Sequence, residues 1–173
     1  MVSAYLVFLL VLAGERVVEL LISRRNARWS LAQGGIEYGA DHFGAMKLLH
    51  GSFFVACALE VSLLKRPFIP ALAAAMLVLV LAAEGLRYWV IFTLGKRWNV
   101  RVLVVPRLAP IRTGPYRFLR HPNYVAVVIE GFAVPLVHTA WWTALGFSLL
   151  NAGLLVVRIR CENAALRAHY GEA

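Results

Sequence analysis

Residues 69–94 read IPALAAAMLVLVLAAEGLRYWVIFTL, a run of 26 residues whose only charges are Glu84 and Arg87. A helix needs roughly 20 consecutive apolar residues to cross hydrocarbon, so this run is long enough to span a bilayer once. Two earlier runs, about Ala4–Ile22 and about Phe43–Leu64, have similar length. The first carries Glu15, Arg16 and Glu19 in its second half and is followed at once by SRRNAR. No basic region precedes it and no small-residue cleavage site closes it, so it reads as a retained helix, not a signal peptide. The second contains Lys47, His50 and Glu60.

Beyond these, Val125–Val157 is 33 residues long, with Pro135, His138, Trp141 and Trp142 at its middle. Two full crossings would use roughly 40 residues, so a compact hairpin is expected, its turn at the headgroup level where proline and paired tryptophans belong. Its first helix is expected to start at Pro122. The fold class is therefore all-α, an integral membrane bundle of about five helices.

The whole chain agrees with this reading. Of its 173 residues, 61% are apolar and 16% charged, which excludes disorder and makes an ordinary soluble domain a poor fit. A net charge of +9 would suit a nucleic-acid binder, but such a protein would not carry spans of this length, so no nucleic-acid partner is expected. The length fits one domain, 1–173, without repeats or low-complexity linkers. It divides into three helices over 1–94, a loop over 95–124, a membrane hairpin over 122–157 and a C-terminal helix over 158–173. Gln33–His42, with Gly34, Gly35 and Gly39, reads as an ordinary loop. Cys57 and Cys161 show no metal or disulfide spacing and read as packing residues.

Thirteen of the eighteen basic residues fall in three segments: Arg24, Arg25 and Arg28; the seven from Lys96 to Arg120; and Arg158, Arg160 and Arg167. In a five-helix chain these share one side. The positive-inside rule then puts the N-terminus outside and the C-terminus in the cytoplasm of the bacterial inner membrane.

Two polar stretches on that side could carry chemistry. In RTGPYRFLRHPNY, Arg112–Tyr124, residues Thr113, Gly114 and Pro115 turn the chain. Tyr116, Arg120, His121 and Asn123 then gather ahead of a helix starting at Pro122, where the missing N–H costs nothing. A helix N-terminus beside an arginine and a histidine is a natural seat for a carboxylate or phosphate. The plain alternative is that these arginines grip anionic lipid while His121 caps the helix. In RIRCENAALRAHY, Arg158–Tyr170, residues Arg158 and Glu162 share a helix face with Leu166 and Tyr170. Here the plain alternative is a surface ion pair worth about 0.3–0.5 kcal/mol.

Together, GPYRFLRHPNY and the following R-x-x-x-E pair resemble the isoprenylcysteine carboxyl methyltransferase family of integral-membrane enzymes that use S-adenosylmethionine. The longer run Leu94–Glu130 is similar to its small bacterial branch. The resemblance implies a cytoplasmic cofactor pocket formed by the loop and the C-terminal helix. It makes Tyr116, Arg120, His121, Pro122, Asn123, Tyr124 and Glu162 the cofactor residues and Arg158 the substrate residue, with Arg158 and Glu162 the catalytic pair and no metal. It further implies a lipophilic small-molecule acceptor, such as an alkylpyrone or alkylresorcinol, ahead of a prenylcysteine carboxylate. One departure stands out: the family's H-x-L-V segment is replaced by Leu108, Ala109, Pro110 and Ile111, leaving packing and backbone groups to hold the cofactor there. Two rival readings stand beside it: an NADPH-dependent reductase of the sterol type, whose C-terminal helical architecture is related, and a non-enzymatic subunit that binds membrane lipids.

Among the charges inside the spans, Glu84 and Arg87 are expected to face each other or the bundle interior. Glu15, Arg16 and Glu19 are expected to form a similar polar face. His50 and Glu130 have no evident partner in sequence, and His138 and His169 read as interfacial or exposed.

Overall fold

The structure, a computed structural model, describes residues 1–171. Five helices dominate it: α1 (Val2–Ala32), α2 (Ala40–Leu63), α3 (Pro70–Leu94), α4 (Pro122–Leu136) and α5 (Trp141–Tyr170). Between them lies a two-stranded antiparallel ribbon, β1 (Ile36–Tyr38) and β2 (Val102–Val104), in the register Ile36 to Val104 and Tyr38 to Val102. Short 3-10 turns occupy Gly95–Arg97 and Gly114–Arg117.

Local chemistry sets the helix ends. Pro70 opens α3 and Pro122 opens α4, each where a missing N–H is harmless. Gly39 enters α2 at φ +64°, and a Cβ there would strike the His42 ring and come within 2.9 Å of Cys161 Sγ. The start of α5 is capped from a distance. Glu60 on α2 accepts the Trp142 and Thr143 N–H groups at 3.1 and 2.7 Å, and Arg66 Nε donates to the same carboxylate at 2.9 Å. Thus groups that a helix N-terminus leaves orphaned find a charged acceptor.

Three stretches, Ala40–Leu63, Pro70–Arg97 and Trp141–Tyr170, are long and apolar enough to cross a membrane by length and composition. Of the five expected crossings, α4 is apolar but only 15 residues long, and α1 carries its own charges. α3 packs along α4, α4 along α5, and α5 along α2. Tyr5, Leu9, Phe53, Cys57, Val61, Val80, Val134 and Phe147 form the apolar core. Outward-facing leucines, valines and tryptophans leave an apolar surface of the kind lipid covers.

Four features differ from the sequence reading. α1 continues about ten residues past Ile22, because Ser23, Asn26, Ala27 and Ser30 make a buried stripe that packs on the segment after α3. The Gln33–His42 loop contains β1, paired with a strand more than sixty residues away. α5 is one continuous helix through Tyr170, joining the second helix of the expected hairpin to the expected C-terminal helix. His138 is fully buried, between Tyr5 and Phe68 at ring distances of 5.3 and 5.5 Å, because the α4–α5 turn folds into the bundle. Thr139 Oγ1 donates to the Pro67 carbonyl at 2.6 Å and holds that turn in place. His169 instead meets the Tyr38 hydroxyl at 2.6 Å.

The internal charges gather into one network. Arg16 Nη1 donates to Glu19 at 2.8 Å, and Arg16 Nη2 pairs with Glu84. Arg87 pairs first with Glu130, and it lies 3.6 Å from Glu19 and 3.9 Å from Glu84. Tyr88 donates to Glu15 at the edge. Glu130 therefore does have a partner, on α3, and the expected Glu84 to Arg87 contact is one of its weaker links. His50 Nδ1 donates to the carbonyl of Met46 at 2.9 Å.

Candidate functional site

The site is assembled on a polar frame supplied by α1. Asn26 Nδ2 donates to the Trp98 and Gly95 carbonyls at 2.8 and 3.2 Å, and Ser23 Oγ accepts the Val100 N–H at 3.0 Å. These bonds hold the chain from Gly95 to Val100 rigidly against the helix. As a result the Val100 carbonyl reaches Arg158 Nη2 on α5.

The next segment is pinned from both flanks. Arg97 Nη1 donates to the Ala109 carbonyl at 2.7 Å, and the Tyr170 hydroxyl lies 2.9 and 2.8 Å from the Val105 and Leu108 carbonyls. Gly114 then turns the chain at φ +58°, so close to α3 that a Cβ would collide with Thr93 Oγ1. Only glycine fits both the conformation and the space.

These segments enclose a cavity of about 600 Å³. Tyr116, Arg120, His121, Asn123 and Tyr124 line it from the motif and the start of α4, and Arg158, Glu162 and Asn163 line it from α5. Leu108, Ala109, Pro110 and Ile111 border it too, so the segment replacing the family's histidine stretch faces the same space. Pro122 does not border the cavity; it is buried and starts α4. Arg120 is exposed at the rim.

Arg158 and Glu162 do not pair directly. Tyr124 stands between them: its oxygen accepts from Arg158 Nε at 2.8 Å while its proton goes to Glu162. His121 Nε2 meets Asn163 Oδ1 at 3.0 Å, its Nδ1 lies 3.7 Å from Glu162 Oε1, and its ring stacks on Tyr124 at 5.4 Å. Burial, and then the nearby Glu162 charge, raise the Tyr116 phenol above its ordinary pKa, so its hydroxyl stays neutral.

Two buried polar atoms on the lining residues have no partner among the described residues: Trp98 Nε1, a donor, and Asn123 Oδ1, an acceptor. Leaving such groups unpaired costs about 1–3 kcal/mol each, which a ligand with matching groups would remove. The volume lies in the range of small-molecule and cofactor sites. A carboxylate, aromatic faces, an orphaned donor and an orphaned acceptor fit S-adenosylmethionine, with its ammonium, sulfonium, hydroxyls and adenine ring.

A sequence profile of the isoprenylcysteine carboxyl methyltransferase family matches residues 75–168. The chain belongs to this family. Family members are membrane methyltransferases that use S-adenosylmethionine, and the matched span carries both the motif and the Arg158–Glu162 helix. The chain is 37% identical over 160 residues to the uncharacterized protein YpbQ of Bacillus subtilis (strain 168), covering 92% of this chain and 94% of that one. It is 28% identical over 152 residues to an uncharacterized protein of Haemophilus influenzae, covering 87% and 88% respectively. No solved structure gives a significant match.

Within this methyltransferase fold, the Ser23, Asn26 and Ser30 stripe is the part of the site that sequence reasoning missed. Its signal was present as small polar residues at helical spacing, opposite Arg24, Arg25 and Arg28. Asn163 and the Val100 carbonyl carried no comparable signal.

Proposed function

We propose that this family member transfers a methyl group from S-adenosylmethionine to an oxygen of a lipid-tailed acceptor, a carboxylate or a phenol or enol hydroxyl. Alkylpyrones and alkylresorcinols fit this class better than a prenylcysteine. The observation that carries the reading is the meeting of Arg158, Tyr124 and Glu162 in one cavity whose Trp98 Nε1 and Asn123 Oδ1 lack partners. The cofactor supplies an already activated methyl group. The protein's task is then to bind, to exclude water and to align an acceptor oxygen with the methyl carbon.

Glu162 is the group for the cofactor's positive end, and Tyr116 offers an aromatic face to a sulfonium. The Asn123 N–H at the start of α4, beside His121, suits a carboxylate. Arg158 is the group for an anionic acceptor oxygen. The thirteen basic residues at the C-terminal ends of α1 and α5 and in the segment between α3 and α4 favour a cytoplasmic site in a bacterial inner membrane, with the N-terminus outside.

The test is a binding titration of purified protein with S-adenosylmethionine, S-adenosylhomocysteine and NADPH. Incubation with labelled cofactor and a lipid extract follows, with mass analysis of the product. Binding of the first two ligands and an oxygen-bound methyl in the product are expected. Binding of NADPH alone, or of none of the three, refutes the reading.

A further inference from the structure

Methylation of a hydroxyl leaves a proton to be removed, and a phenol with a pKa near 10 is only about one part in a thousand ionised at pH 7. We propose, resting on the methyltransferase reading above, that Tyr124 relays the acceptor's proton to Glu162.

The direction of the Tyr124 hydroxyl follows from its partners. Arg158 Nε can only donate, so at 2.8 Å the tyrosine oxygen is its acceptor. An ionised Glu162 can only accept, so the single tyrosine proton points at it. One lone pair of the oxygen remains for a third partner, and Tyr124 lines the cavity in which an acceptor would sit. The relay is thus already wired from a protein base to the cavity.

Charges around the hydroxyl suit the transfer. Arg158 spends Nε on Tyr124 and Nη2 on the Val100 carbonyl, and its Nη1 has only the weakly accepting Met46 Sδ at 3.4 Å. Its guanidinium also lies 5.6 Å from the centre of the Tyr124 ring. That fixed cation holds the Tyr124 oxygen in place while the two protons move together, and an acceptor oxygen finds the loosest donor, Nη1, beside it. The groups facing Tyr124 are Arg158 and Glu162 from α5 and His121 from the end of its own helix, with Tyr116 near Glu162. The Glu162 side chain is 30% exposed, so a proton delivered there can pass to water.

Written in full, the acceptor O–H gives its proton to the Tyr124 oxygen while the Tyr124 proton passes to Glu162. The acceptor oxygen's electron pair forms the bond to the methyl carbon. The carbon–sulfur bond breaks, its pair remains on sulfur as a neutral thioether, and Glu162 returns its proton to solvent. Tyr124 ends the cycle as it began.

The test compares the wild-type protein with Tyr124→Phe, using a long-chain 4-alkylphenol and its more acidic 2,6-difluoro analogue. In the ternary complex with S-adenosylhomocysteine at neutral pH, the wild type is expected to show the phenolate absorption band for the plain phenol. Tyr124→Phe is expected to hold it neutral, with a thermal midpoint in detergent close to that of the wild type as the sign of an intact fold. Methylation of the plain phenol should fall by about 100-fold, in the range general-base catalysis contributes, and that of the difluoro analogue by less than about tenfold. Equal losses for the two phenols, or a phenolate band retained in the variant, overturn the relay. Absence of the band in the wild type overturns it without any variant. If the wild type binds neither S-adenosylmethionine nor S-adenosylhomocysteine, the methyltransferase reading itself has failed, a result distinct from all of these.

Discussion

Arg158 and Glu162 stand one helical turn apart on α5, and spacing alone would make them a surface ion pair. Instead Arg158 is buried and tied by Nε and Nη2 to Tyr124 and Val100, while Glu162 faces the cavity beside His121. Their roles should therefore separate by kinetic parameter. Arg158→Lys keeps the charge but loses the fork that reaches two acceptors, and should raise the acceptor KM at least about tenfold with cofactor affinity nearly unchanged. Glu162→Gln should weaken cofactor binding by about 10- to 100-fold, the worth of a charge-assisted hydrogen bond, and for a hydroxyl acceptor should lower kcat as well, since the proton's final acceptor is gone. Calorimetric titration and steady-state kinetics distinguish the two. Both residues were legible in the sequence as motif positions. Tyr124 was legible only as a lining residue, because its place between them arises from the packing of α4 on α5, which spacing within one helix does not encode.

At the scale of elements, the long apolar helices were legible because hydrophobicity and length leave few alternatives. α3 begins within a residue of the expected start, with Pro70 at its first turn. The ribbon was not legible, since strands of three residues carry no periodicity and Ile36–Tyr38 finds its partner only through the tertiary fold. The Leu108–Ile111 segment shows the same division. Its departure from the family pattern was visible, whereas its anchoring by Arg97 and Tyr170 needed the end of α5 to lie beside it in the tertiary fold. If that anchoring shapes the cavity wall, Tyr170→Phe removes one hydrogen bond worth about 1 kcal/mol. Cofactor affinity should then fall about fivefold, with the thermal midpoint in detergent lowered by no more than the roughly 2–4 °C that 1 kcal/mol gives a chain of this size. A midpoint loss with unaltered affinity would instead make Tyr170 a stability residue.

Over the whole molecule, charge is sorted into a basic fringe and an enclosed network of four carboxylates and two arginines on α1, α3 and α4. The sequence announced these charges as costly and grouped them within each helix, but not across helices, because Glu130 and Arg87 lie 43 positions apart. Arg87 is the hinge of that network. It is 6% exposed at its side chain and within 4 Å of Glu19, Glu84 and Glu130. Arg87→Leu leaves these carboxylates facing one another around an apolar side chain, and breaking a buried pair from one side costs about 3–5 kcal/mol. Replacing both partners, Arg87→Leu with Glu130→Leu, removes the stranded charge along with its counterion and should recover most of that loss. The measurement is the thermal midpoint of the purified protein in detergent for the wild type, both single variants and the double. A double variant as unstable as the sum of the singles would mean that the two side chains contribute independently, and the network would then be a set of separate contacts and not one coupled unit.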